Sequence, residues 1–246
     1  MNNESEHPYL IKVQSHWLTR KPNANSDLVA LLILVFLFML SFAYWYDWWN
    51  LKQLLSGTPL SVFQKREYWR AWTTLFVHAD LKHLIGNSFL FSILGYFLYG
   101  YFGGWVFPIV SIVFGGFINL IVLSVMPEYV ELIGMSGVVF WMGGSWLALY
   151  SFLETRKTFS QRLLRAFGVT LVLFMPSEAF DPHISYQSHF YGFLLGVSFG
   201  VFYYFLKRKT FKAAETYTIE PIESIESTEP TDEATGATLD SVEFVK

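Results

Sequence analysis

The chain has 246 residues, of which 53% are hydrophobic and 15% charged, and Phe, Trp and Tyr together make 20%. Soluble domains carry about 25% charged residues, so this composition excludes a wholly disordered chain and argues against an ordinary water-soluble domain. Cysteine is absent, which excludes disulfides, iron–sulfur clusters, thiolate zinc sites and cysteine nucleophiles. The net charge of -3 hides an asymmetry: residues 213–246 hold nine acidic residues and one basic residue, Lys246, which leaves eleven acidic and sixteen basic residues in the rest.

A membrane-spanning helix needs about 20 mostly apolar residues. After a short amino-terminal segment, 1–26, six such stretches follow within a helical body, 27–209. The first runs from about 27 to 49; it is too long for the apolar run of a cleaved signal peptide, and no small-residue cleavage site follows it. The second covers about 82–101, the third 105–126 and the fourth 135–152. The fifth, 162–178, is the least apolar and carries Arg165 in its first turn, and the sixth covers 186–206. The acidic tail, 210–246, is rich in Thr, Ser, Glu and Pro, and disorder is expected beyond Ala213. Within it Ile219, Ile222 and Ile225 recur every third residue, each followed by Glu. A solvated acidic tail is the plainer account, and a short motif docking a cytoplasmic partner the sharper one.

Lysine and arginine give the orientation. Lys12, Arg20 and Lys21 precede the first span, Arg156, Lys157, Arg162 and Arg165 cluster between the fourth and fifth, and Lys207, Arg208, Lys209 and Lys212 follow the sixth. With six spans these regions share one side, which the positive-inside rule makes cytoplasmic, together with both termini. The long first loop, 50–81, is the exception, with Lys52, Lys65, Arg66 and Arg70 on the outer side. Its Tyr68, Trp69 and Trp72 suit the membrane interface.

Polar side chains inside hydrocarbon are costly and become functional candidates by default. Three groups stand out. His78 precedes His83 and Asn87, whose spacing of four puts both on one helix face. Gly134, Ser136 and Gly137 open the fourth span. His189 heads a face of the sixth with Gly192, Gly196 and Gly200, and such small-residue faces let helix backbones approach closely. Each has a bland account: helix packing for the glycines and serine, an inter-helix hydrogen bond for the His–Asn pair, a structural histidine for His189. Yet the second, fourth and sixth spans all enter from the outer side, so His83, Asn87, Ser136 and His189 sit in first turns at one depth. A serine hydroxyl needs a base to act as a nucleophile, and His189 is available. A new oxyanion needs donors, which the Ser136 backbone N–H, Asn87 and His83 offer.

With these residues in view, the sequence resembles the rhomboid intramembrane serine proteases, from about Trp69 to Gly200. Trp69-Arg70 is similar to their Trp-Arg pair, and His78, His83 and Asn87 to their His followed by His-x-x-x-Asn. Gly134, Ser136 and Gly137 match Gly-x-Ser-Gly, and His189, Gly192 and Gly196 match His-x-x-Gly-x-x-x-Gly. The resemblance implies an all-α six-transmembrane-helix bundle with a lateral first loop anchored by Trp69 and Arg70. It implies a Ser136–His189 dyad without an acidic third member, and an oxyanion hole of His83, Asn87 and the Ser136 N–H. It further implies a flexible cap from Ser177 to Gln187, single-span membrane proteins as substrates, no cofactor or metal and no nucleic-acid partner. The compact plan suggests a bacterial inner membrane.

Two departures are visible. Phe140 stands where the family often has a Tyr packed on the base histidine, so the ring is kept without its hydroxyl. The Glu-Arg pair common at the inner end of the second helix is missing from Gly95–Gly100, with Tyr99 as the available substitute. Competing functions are a catalytically inactive relative that binds membrane clients, which usually lacks the serine or histidine, and a transporter or metal-handling protein using His78, Asp80 and His83, a thin ligand set.

Overall fold

The computed structural model describes residues 9–174 and 185–221. Six long helices form the body: α1 (Ser26–Trp45), α2 (Leu81–Phe102), α3 (Ser111–Leu123), α4 (Ser136–Leu153), α5 (Phe159–Phe174) and α6 (Tyr186–Lys212). Five helical stretches are long and apolar enough to cross a membrane; α3 qualifies together with the wider π-type turn Trp105–Val110 before it. The exception is α5, which has 16 described residues; the expected end of the fifth span, 175–178, lies outside the described residues.

The arrangement follows from where apolar surface can be hidden. In α4, 72% of the apolar window is buried, against 17–50% in the other spans, so α4 is the central helix. Trp141, Met142 and Leu149 on it are fully buried. Around it pack α2, α3, α5 and α6. The outer helices turn large apolar side chains outward: Leu31, Leu32, Val35 and Met39 on α1, Phe89 on α2, Phe202 and Leu206 on α6. A contiguous apolar surface of this extent is not tolerated in water. It is the lipid-facing surface of a multi-pass integral membrane protein.

The first loop is built from short turns, Leu51–Leu55, Leu60–Gln64 and Arg70–Thr73, rather than from free coil. Arg70 ties it together. Its guanidinium pairs with Glu67 at 2.6 Å and donates to the backbone carbonyls of Gln53 and Ser56. On α3, Asn119 Nδ2 donates to Ala71 O and Thr74 Oγ1, both at 2.9 Å, which fixes the loop to the bundle. Trp69 is half exposed.

At the opposite, basic end the structure departs from expectation. The chain beyond Ala213 is not disordered throughout: β2 (Thr216–Pro221) pairs antiparallel with β1 (Tyr9–Ser15). Ile219, first of the three periodic isoleucines of the tail, lies opposite Ile11; Ile222 and Ile225 lie outside the described residues. The ladder satisfies the backbone of both segments despite their polar composition. Just after β1, His16 is buried and its Nε2 meets Glu154 Oε1 at 3.1 Å. Because His16 Nδ1 accepts from the Leu18 N–H, Nε2 carries the proton and donates to the carboxylate. Arg156 holds both carboxylate oxygens, at 2.9 and 2.8 Å.

The same segment buttresses the inner end of α2. Trp17 Nε1 donates to Tyr101 O and the Asn23 N–H to Gly100 O. The Trp17 ring also packs edge-on against Phe211 of α6. These contacts hold the helix end where the Glu-Arg pair is missing, and the Tyr99 carbonyl accepts from the Gly103 N–H at 2.8 Å beside them.

Acid should loosen this clasp. Burial holds the His16 imidazole below its usual value of 6.5, and the Arg156 hydrogen bonds hold the Glu154 carboxyl below its usual range. Both groups bind fewer protons folded than unfolded, so their stabilisation is complete above pH 6.5 and declines as pH falls. Spin labels on Ile11→Cys and Ile219→Cys in this cysteine-free chain should give one short distance at pH 7.5 and a broadened, longer distribution at pH 5. An unchanged distance at pH 5 would contradict the expectation.

Candidate active site

The polar groups picked out in the sequence converge at the end of the bundle away from the clasp. Gly134 precedes α4 with φ +110°, a conformation that side chains rarely adopt. A Cβ there would also lie 2.8 Å from His83 Cε1. Glycine therefore lets this backbone rest on the imidazole and brings the start of α4 against the start of α2. Hydrogen bonds to the first loop hold it: the Gly134 N–H donates to Thr74 O at 2.9 Å and the Leu132 N–H to Gly57 O at 2.8 Å.

His83 sits in the first turn of α2, whose N-cap Asp80 accepts from the His83 backbone N–H at 2.8 Å. Beside it, edge-on at 5.3 Å, is the fully buried ring of His78. Two residues of α1 hold His78: Ser41 Oγ lies 3.2 Å from its Nδ1, and Trp45 Nε1 donates to its carbonyl at 2.8 Å. Sequence reading passed over Ser41 and Trp45. The available signal was a polar hydroxyl and an indole one turn apart in an otherwise apolar span. Among the described residues no three His, Asp or Glu side chains could hold a metal ion.

Asn87, one turn after His83, is half-buried, and its Nδ2 is a buried donor with no hydrogen-bond partner among the described residues. An unpaired buried amide is costly, and an incoming acceptor would relieve it.

His189 stands in the first turn of α6, after the N-cap Ser185, which accepts from the Ser188 N–H at 3.3 Å. Its ring stacks on Phe140, with centroids 4.0 Å apart and planes 8° from parallel. Phe140 is one turn after Ser136 on α4, so His189 lies over the helix face that Ser136 begins. Glycines make this approach possible. A Cβ on Gly192 would overlap the Gly137 carbonyl, and one on Gly196 the Trp141 carbonyl. Ser145 Oγ then donates to Gly196 O at 3.1 Å. Ser136, His83, Asn87 and His189 are all half-buried, and no hydrogen bond joins Ser136 to His189 among the described residues. The expected cap, 177–187, lies largely outside the described residues.

The stacked ring sets the plane of the imidazole, worth about 1 kcal/mol for such a pair. Phe140→Ala should therefore free the His189 ring and lower the melting temperature by a few degrees, while Phe140→Tyr retains both. Thermal unfolding of both variants in detergent checks this; equal values for Phe140→Ala and wild type would remove the role.

A bundle of apolar spans that encloses a polar cluster of serine, histidines and asparagine defines a polytopic membrane protein with an internal site. The Rhomboid domain family model matches residues 65–205, more than half of the chain and every residue of that cluster. The chain belongs to the rhomboid family of intramembrane proteases. A comparison with curated proteins returned no match.

Proposed function

We propose that this protein is an intramembrane serine endopeptidase that cuts single-span membrane proteins in or near their transmembrane segments. The observation that carries the reading is His189 stacked on Phe140, one turn from Ser136 on a shared helix face. His189 lies over the helix face that Ser136 begins, and a catalytic hydrogen bond between such groups commonly tightens only with substrate bound. His189 then takes the hydroxyl proton as Ser136 Oγ bonds to the scissile carbonyl carbon. The carbonyl oxygen becomes an anion and accepts from the Ser136 backbone N–H, Asn87 Nδ2 and His83. As the C–N bond breaks, His189 returns the proton to the leaving amine. Water, deprotonated by His189, releases the acyl group and restores the serine.

Trp69 and Arg70 anchor the outer loop, and His78, Gly134, Gly137, Gly192 and Gly196 support the site. The basic end faces the cytoplasm with both termini, in a bacterial inner membrane, under the positive-inside rule.

The test is reconstitution in liposomes with a single-span peptide carrying small residues near its outer end. Mass spectrometry should find two fragments from one cut at the outer membrane surface, absent with His189→Ala. A folded protein that binds the peptide but never cuts it would establish the inactive, client-binding alternative.

A further inference from the structure

A cavity of about 510 Å³ opens at the basic end, far from the serine, between Trp146, Leu147 and Tyr150 of α4 and Arg165, Ala166 and Val169 of α5. Tyr150 lies three residues before the end of α4 and Arg165 six after the start of α5. At 1.5 Å per residue these are depths of about 5 and 9 Å, the level of headgroups and upper acyl chains. The walls are apolar except at this mouth. Arg165 lines it and, among the described residues, pairs with no acid. Glu154, at the adjoining end of α4, is occupied by His16 and Arg156. One turn earlier on α5, Arg162 donates to Ser151 O at 2.9 Å, yet its buried Nε has no partner among the described residues. One turn after Arg165 on the same wall, Gly168 leaves open space, since a Cβ there would meet nothing within 4 Å.

Arg165 is exposed at the depth of the headgroups, where an anion is its natural counterpart, and among the described residues no acid meets it. We infer that this cavity binds a phospholipid with a net negative headgroup, its phosphate on Arg165 and Tyr150 and an acyl chain along Trp146 and Val169. The volume falls within the usual range for ligand sites. An arginine-held phosphate is charge-assisted, and its loss weakens binding about tenfold or more.

Native mass spectrometry of the full-length protein, titrated with phosphatidylglycerol or with phosphatidylcholine of identical chains, tests this. One phosphatidylglycerol should be retained about tenfold more tightly than phosphatidylcholine. Arg165→Gln should abolish the preference, and Gly168→Leu, which fills the cavity, should weaken both lipids. Melting temperatures within a few degrees of wild type establish that the variants fold. Equal retention of the two lipids, or an undiminished preference in Arg165→Gln, overturns the inference. So does displacement of the lipid by a substrate transmembrane peptide, which would make the cavity a substrate groove.

Discussion

Replacing Ser136 by alanine should abolish cleavage and all labelling by a fluorophosphonate probe while the protein stays folded. In serine hydrolases the loss of nucleophile or base lowers turnover by about 10⁴-fold or more. Ser136 is half-buried in the first turn of α4, and the truncation removes one oxygen and no packed carbon. The melting temperature should therefore stay within a few degrees of wild type. His189→Ala should be as inactive, and the double variant no worse than either, because two residues acting in one step are not additive. Residual labelling of Ser136→Ala would locate the nucleophile elsewhere, and additive losses would mean that serine and histidine act separately.

The second large effect is expected at Gly196. Overpacking a core usually costs about 1–3 kcal/mol, because neighbouring side chains can turn aside. At Gly196 the obstacle is the Trp141 backbone, carbonyl included, which lies inside a helix and cannot turn. Gly196→Leu must separate α4 from α6, lose the Ser145–Gly196 hydrogen bond and lift His189 from Phe140. Stability should fall by about 3 kcal/mol or more, and labelling of Ser136 should vanish even in preparations that remain folded. Gly86 is the control. A Cβ there meets nothing within 4 Å, so Gly86→Ala should be neutral or stabilising by up to about 1 kcal/mol. Thermal unfolding in detergent compares the two; equal melting temperatures would show that the glycine face does not set the helix spacing.

The residues of the candidate site were readable because hydrocarbon makes polar side chains rare. His83, Asn87, Ser136 and His189 stood out against apolar runs, and the alternation of spans put them at one end. Their support was harder to see. Ser41 and Trp45 offered only a hydroxyl and an indole one turn apart in an apolar span, and it is folding that brings α1 beside His78 and gives them their role. The clasp was illegible for a different reason. Tyr9–Ser15 and Thr216–Pro221 are short, mixed in polarity and, in the second case, set in an acidic stretch whose composition reads as disorder. Each is a strand only in the presence of the other. The third span hid its π-type turn at Trp105–Val110 because an apolar run with one proline does not specify how wide a turn will be.

The clasp also bears on the order in which the molecule is made. Its closing bond, Ser15 Oγ to Thr216 Oγ1, spans 201 positions, so strand β1 emerges from the ribosome long before its partner exists. Throughout insertion of the helices, Tyr9–Ser15 stays without the partner that makes it a strand. Closure cannot occur until α6 has been delivered, which makes the sheet a mark of finished assembly. A chain halted before Thr216 would leave Tyr9–Ser15 unpaired at the end opposite the serine.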